Sequence, residues 1–459
     1  MREGTFAIAS AVLLVCSLAG AGVAATTKST DAESVDSWRA ETPAVHDVEE
    51  PAADGTATID NREFDSVQAA VDAADPGDTI HLEGQFDERV IVDTPGVTLT
   101  ALERDGAVID GGGEGRVVEI EADDVSLENV WIRNAGSDRQ DTDSGVVVNG
   151  SSATLSALRL TKIQFGVWIG SVEDVTVEDS IIAGRDDQPL AERGNGIHLW
   201  EATDTEVRNN TITTVRDGIY YQWAEGVVAE DNTMWDMRYG VHYMYSNDNH
   251  LEDNVAFDND VGFALMVSKE LTLLNNTAVN NDGTSGHGIL VKDVEDSEIR
   301  GNDLVGNGNG LYVHNSQDNR LESNLVLENE VGIHITAGSS TETVAGNSFI
   351  RNGQAAFAET NSQAHWNDTD RGNYWSEART ADLDADGISE NRHQPAGTVE
   401  RLVYETPQAA IFAESPAFDA VTLAESSFPV LETPGIVDHR PLADSPHDNW
   451  RTYYEDHDH

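Results

Sequence analysis

From Gly196 to Ile335 the chain repeats one pattern of apolar and polar positions. Aligned on a glycine, seven segments read GIHLWEATDTEVRNN, GIYYQWAEGVVAEDN, GVHYMYSNDNHLEDN, GFALMVSKELTLLNN, GILVKDVEDSEIRGN, GLYVHNSQDNRLESN and GIHITAGSSTETVAGN. The glycines stand at 196, 218, 240, 262, 288, 310 and 332, with spacings of 22, 22, 22, 26, 22 and 22. Fourteen residues after each of the first six comes an asparagine: Asn210, Asn232, Asn254, Asn276, Asn302 and Asn324, with Asn347 one residue late. A second asparagine series follows at 259, 281, 307 and 329, and less regular turns begin near Gly145 and Gly166. Short strands, turn residues at fixed offsets and no long helix predict an all-β fold. It is a right-handed, single-stranded parallel β-helix over 58–362, one coil per repeat, with coils about 4.8 Å apart. The glycines are expected to mark a tight bend, and the asparagines to hydrogen-bond along the axis.

Side chains alternate across a strand. The first and third positions after each glycine are apolar or aromatic throughout, as in Ile219 and Tyr221 or Val241 and Tyr243, so they face the core. The columns between them face outward. One reads His198, Tyr220, His242, Ala264, Leu290, Tyr312, His334; the other reads Trp200, Gln222, Met244, Met266, Lys292, His314, Thr336. This stripe holds more His, Met, Trp and Tyr than a solvated face needs. It places Met266 over Met244, one coil away, beside His242. The chain has five methionines, and all except Met1 fall between Met234 and Met266. Thioether and imidazole are ligands that suit Cu(I). The candidate metal ligands are His242, Met244 and Met266, with Met237, His198 and His334 beside them. Methionines also fill gaps in apolar surfaces, and for Met234, near an apolar column, that reading holds.

Outside the repeat, FDSVQAAVDAA predicts a helix over 64–74 that caps the N-terminal end. It carries Phe64, Val67, Ala70 and Val71 on one face and Asp65 as N-cap. Residues 1–25 hold an apolar run from Phe6 to Ala24 ending in small residues, which reads as a secretory signal; uncleaved, it is long enough to anchor in a bilayer. The only cysteine, Cys16, lies inside it, so the exported chain would have no disulfide and no thiolate ligand. Residues 26–57, rich in Ala, Thr, Asp, Glu and Pro without periodicity, read as an acidic disordered tether. Residues 363–443 read as a capping or docking segment. In it Tyr374 and Trp375 would seal the core, and apolar residues such as Ile411, Phe412, Phe418, Val421, Leu423 and Phe428 occur at mixed spacing. Asp382, Asp384, Asp386 and Gly387 match the start of a calcium loop, and Glu390 could close a shortened one. His393 stands where an EF-hand needs its bidentate acid, so an EF-hand is excluded, while calcium and an ion-free acidic turn both fit. The tail, 444–459, offers His447, His457 and His459 as a further metal group.

Charge narrows the function. Lys and Arg number 27 against 83 Asp and Glu, a net −56. Such a surface repels phosphate and excludes nucleic-acid binding. Folded chains this acidic suit high-salt surroundings, where screening relieves self-repulsion. Many parallel β-helices are polyuronate lyases, hydrolases or epimerases, and GHG at 286–288 fits a Gly-His-Gly element. The paired aspartates and basic clamp of such enzymes are missing: Asp186-Asp187 lies four coils from His287, and Lys292 is the one cation in the outer columns.

The run YGVHYMYSNDN, then GFALM, GIHITAGS, GNYWS before DLDADGI, and FPVLETPGIVDHRPL resembles the NosD family over residues 60–443. It departs in its acidity, in Asn-Arg-His after the calcium-like loop, and in the tail HDNWRTYYEDHDH. The resemblance implies an extracytoplasmic, non-enzymatic accessory protein. Such a protein works with an ABC-type transporter, permease and ATPase subunits, in assembling the copper–sulfur centre of nitrous oxide reductase. A copper chaperone or the reductase is then a further partner. The resemblance strengthens His242, Met244 and Met266 as copper candidates and implies that the 363–443 segment docks on the permease.

Overall fold

In the computed structural model the described residues run from 35 to 454, except 46–47, 337, 340, 360–362, most of 397–434, and 449. They form a right-handed parallel β-solenoid of about 22 residues per coil. One face is a twelve-stranded parallel sheet in which consecutive coils are neighbours, from Val90–Val92 to Gln354–Ala358. The other two faces are built from three- and four-residue strands. Thr79–Asp87 joins them, because its first half pairs with Thr98–Ala101 and its second half with Ala107–Asp110.

The repeat sets coil stacking through two contacts. The glycines are required by close approach: a Cβ at Gly240 would sit 2.6 Å from the Gly262 carbonyl oxygen, and one at Gly218 would sit 2.4 Å from that of Gly240. Neither has a left-handed φ, so the expected tight bend is replaced by coil-to-coil crowding as the reason for glycine. The asparagines form two buried ladders. Asn232 Nδ2 donates to Asn254 Oδ1 at 2.9 Å, Asn254 Nδ2 to Asn276 Oδ1 at 3.0 Å, and the series runs on through Asn347 to Asn373. Each carboxamide oxygen also accepts the backbone N–H of the asparagine before it, as Asn254 does from Asn232 at 3.0 Å. Between the ladders the core columns are fully buried, and Tyr221 stacks on Tyr243 at 4.1 Å.

At the N-terminal end the helix spans Val67–Asp72, shorter than expected, and Ser66 rather than Asp65 is its N-cap. Ser66 Oγ accepts from Ala69 N, while the Glu88 carboxylate takes the Val67 and Gln68 N–H groups, which leaves Asp65 nothing to cap. Val67, Ala70 and Val71 are buried as the pattern requires. At the other end Trp375 stacks on Phe349 at 4.3 Å and donates Nε1–H to buried Asp438 at 2.9 Å. A small sheet of Gln363–His365, Gly435–Asp438 and His393–Ala396 lies beyond it.

The segment read as a disordered tether is strapped along the solenoid from residue 35 onward. Val35 is buried with Phe257, Val279 and Val305. Arg39 pairs with Asp258, Arg159 donates to the Ala44 and Val45 carbonyls, and Arg133 pairs with Glu50 at 2.7 Å. The strap therefore runs back from the coil of Asn280 towards the first coils, held by polar contacts that composition does not reveal. The tail packs on the same flank: Trp38 lies 5.7 Å from Tyr453, and the Tyr454 hydroxyl donates to Glu328 at 2.6 Å. Residues 1–25, Phe412, Leu423, Phe428, His457 and His459 lie outside the described residues.

Replacing Asn254 by Ala deprives Asn232 N, Asn232 Nδ2 and the Ala229 carbonyl of their partner inside the core. At about 1–3 kcal/mol per stranded buried group, the loss should reach roughly 3 kcal/mol or more. Chemical denaturation checks it; an unchanged midpoint would contradict the ladder's role.

Candidate metal centre

The outer face of the twelve-stranded sheet carries the predicted stripe in the predicted register. His198 pairs with Tyr220, Tyr220 with His242 and His242 with Ala264, while Gln222 pairs with Met244 and Met244 with Met266. Met244 and Met266 are therefore neighbours on adjacent coils. His242 lies two residues before Met244 on the same side of its strand, about 7 Å along.

The stripe points outward but is not solvated at its centre. His242 is 7% exposed, beneath the rings of Tyr220 at 4.8 Å and Tyr239 at 5.0 Å. Met266 packs half-buried against an outer apolar cluster of Val261, Ala264 and Leu290. Large-residue packing thus operates on the face that carries the candidate ligands.

A buried ion pair fixes the imidazole. Asp217, fully buried at the start of strand Asp217–Gln222, receives Arg238 Nε–H at 2.8 Å and Nη2–H at 2.5 Å. Its second carboxylate oxygen lies 3.2 Å from His242 Nδ1. Burial works to raise this carboxyl's pKa, but hydrogen bonds from His242 and Arg238 hold it below the usual carboxylate range. Arg238 Nη2 also lies 3.4 Å from His242 Nδ1, a longer contact than the one by which one of its two N–H groups meets Asp217. With its proton on Nδ1 the ring donates to that carboxylate. Nε2 is then an unprotonated donor atom, buried and without a hydrogen-bond partner among the described residues. An orienting carboxylate on one ring nitrogen and a free lone pair on the other is the arrangement of a metal-binding imidazole. Stranding such a lone pair costs about 1–3 kcal/mol, which a soft cation would offset. The donor set fits copper.

The other predicted ligands are placed elsewhere. Met237 is 3% exposed inside the main core, its sulfur packed by Gly218, because the strand alternation breaks at the bend before the glycine. It cannot reach the outer face. His198 lies two coils, roughly 10 Å, from His242, stacked on Trp168 at 3.8 Å with Nδ1 against Asn195 at 3.0 Å. His334 lies four coils from His242 in register, between Tyr312 and Phe357, so it cannot share an ion with it. His447 is excluded as a tail ligand: Nδ1 is 2.8 Å from Ser348 Oγ and Nε2 3.1 Å from the Ser323 carbonyl. In the calcium-like loop the carboxylates of Asp382, Asp384 and Glu390 come within 4.8 Å of one another, while Asp386 turns to accept Ile388 N. The structure adds Asp217, Arg238 and Tyr239, which the repeat columns left out. Their trace was an arginine two residues before consecutive glycines, Arg216 and Arg238.

A family model described as periplasmic copper-binding protein (NosD) matches residues 182–379. The chain is 34% identical over 379 residues to a probable ABC transporter binding protein NosD of Pseudomonas aeruginosa, covering 79% of this chain and 87% of that one. It is also 34% identical to the like-named protein of Stutzerimonas stutzeri, over 74% of this chain and 81% of that one. Among solved structures, the A-module of the Azotobacter vinelandii mannuronan C-5 epimerase AlgE4 is similar at 17% identity and a TM-score of 0.43, over 72% of this chain and 92% of that one.

Burial pushes the His198 imidazole down to about 3, and likewise His287 and His393 to about 4. As pH falls below 6.5 the unfolded chain takes up protons that these folded sites refuse, so stability drops. Glu342, pushed up to about 7 by burial, acts oppositely between pH 4.5 and 7, as do the buried carboxyls of Asp303 and Asp438, while burial also lowers His334 and His439 and adds to the histidine side. Thermal midpoints should fall from pH 6.5 to 4.5, and less steeply in His198→Gln. A flat or rising profile would contradict this.

Proposed function

Because this chain belongs to the NosD family of periplasmic copper-binding proteins, we propose that it receives copper outside the cytoplasm for the copper–sulfur centre of nitrous oxide reductase. In this reading it works with the permease and ATPase subunits of an ABC-type transporter and is not itself an enzyme. The copper site comprises His242 Nε2 with the thioethers of Met244 and Met266, and the ion is Cu(I). Copper is cargo here: it enters and leaves, so a site of few soft donors on the surface of a rigid sheet serves better than a closed cage.

The observation that carries this reading is the buried Nε2 of His242, without a partner among the described residues, on the strand face that carries Met244 with Met266 in register on the next coil. The name of the Pseudomonas aeruginosa relative supports the transporter link. The carbohydrate-enzyme reading gains little. Arg238, a cation the outer columns did not reveal, is bound to Asp217 by two hydrogen bonds and cannot clamp a uronate. His287 is stacked on Tyr312 at 4.7 Å, with its Nδ1 held by Asn309 at 3.2 Å.

Met244→Leu with Met266→Leu conserves volume and should cost less than about 1.5 kcal/mol of stability. The same double change should weaken Cu(I) binding at least tenfold in an anaerobic competition titration. In cells it should leave nitrous oxide reductase without its copper–sulfur centre. Parent-like Cu(I) affinity together with full maturation would overturn the site.

A further inference from the structure

Immediately after the outer stripe each coil turns through one residue in the left-handed region. Along successive coils that column reads Ser171, Glu201, Trp223, Tyr245, Val267, Asp293 and Asn315, all with φ between 48° and 55°. Asp and Asn hold most such positions in this chain because their short polar side chains tolerate this conformation. A β-branched or bulky side chain there is strained. Yet three consecutive coils place Trp, Tyr and Val in it. These side chains do not bury themselves in return: Trp223 is 45% exposed, Tyr245 47% and Val267 38%. They form one apolar ridge, with Trp223 edge-on to Trp200 at 5.0 Å and stacked over Tyr245 at 6.0 Å. Strain at an exposed apolar ladder serves neither stability nor solubility, which leaves recognition.

Two features identify what is recognised. Met244 and Met266 directly precede Tyr245 and Val267, so the ridge borders the thioether pair. The surface around it exposes Glu201, Asp204, Glu225, Asp248 and Glu270 against two bases, Lys269 and Lys292, the latter in register with Met266. We infer that Trp223, Tyr245 and Val267 are the docking ridge for an exported protein that exchanges Cu(I) at the neighbouring thioethers, its contact face apolar at the centre and basic at the margin. An anionic glycan would meet the same acidic margin and be repelled. This inference rests on the copper reading for the partner's cargo.

The test exploits the strain. Trp223→Asn, Tyr245→Asn and Val267→Asn in one full-length chain should raise the thermal midpoint and leave affinity for Cu(I) alone unchanged. With a photoreactive p-benzoylphenylalanine in place of Tyr245, irradiated cells should yield a cross-link to an exported protein that binds Cu(I) when purified. Adding Trp223→Asn and Val267→Asn should reduce its yield at least tenfold, whereas Met244→Leu with Met266→Leu should leave it intact. A lowered midpoint would make the ridge structural and overturn the inference. So would a cross-link only to residues 397–434, to a second copy or to a glycan, no cross-link, or a yield indifferent to the ridge substitutions. If instead the methionine substitutions leave Cu(I) binding intact while the cross-link depends on the ridge, the copper site fails and the docking ridge stands.

Discussion

Register between coils is the constraint on which the rest of this molecule depends. Residues that meet in space stand 22 positions apart in the chain, so a slip of one residue would turn a core column outward. The asparagine ladders prevent this by making each carboxamide both donor and acceptor to its equivalents on either side. The glycines act with them, because any side chain at Gly240 would push the next coil away. Held in this way, the sheet is stiff enough to place two thioethers side by side without ordering a loop.

The same stiffness lets the outer face carry polar groups that a softer fold would lose. Asp217 is wholly buried, and it keeps its charge because Arg238 and His242 both turn towards it. The cost of desolvating such a pair is large, and its return here is orientation of an imidazole rather than stability. The result is a short stretch, Tyr239–Met244, that combines a core strand with the proposed ligand positions. Its inward residues, Val241 and Tyr243, maintain the solenoid. Its outward residues present nitrogen and sulfur, and the turn that follows presents an aromatic ridge.

Much of this was legible in the sequence because each repeated residue answers to a local demand. Asn every 22 residues and apolar alternation specify the coil, and the outer columns follow from parity alone. The outward placement of His242, Met244 and Met266 was readable for the same reason. What parity could not reach lies where alternation breaks. Met237 and Asp217 both sit just before a glycine, at the bend, and there Met237 turns inward while Asp217 meets the outer face. The strap over residues 35–57 was hidden for a different cause: its anchors are single arginines from distant coils, Arg133 and Arg159, acting on backbone carbonyls and one carboxylate. Low apolar content reads as disorder when the partners holding a segment are far away in sequence.

The central claim is that a register-built trio of one imidazole and two thioethers holds Cu(I). Copper K-edge X-ray absorption on the anaerobically loaded, full-length protein addresses it most directly. The account predicts a low-coordinate Cu(I) edge with one nitrogen scatterer and two sulfur scatterers. In a chain whose one cysteine is Cys16, thioethers are the sulfur donors at hand after residue 25. A first shell of nitrogen and oxygen alone would contradict it.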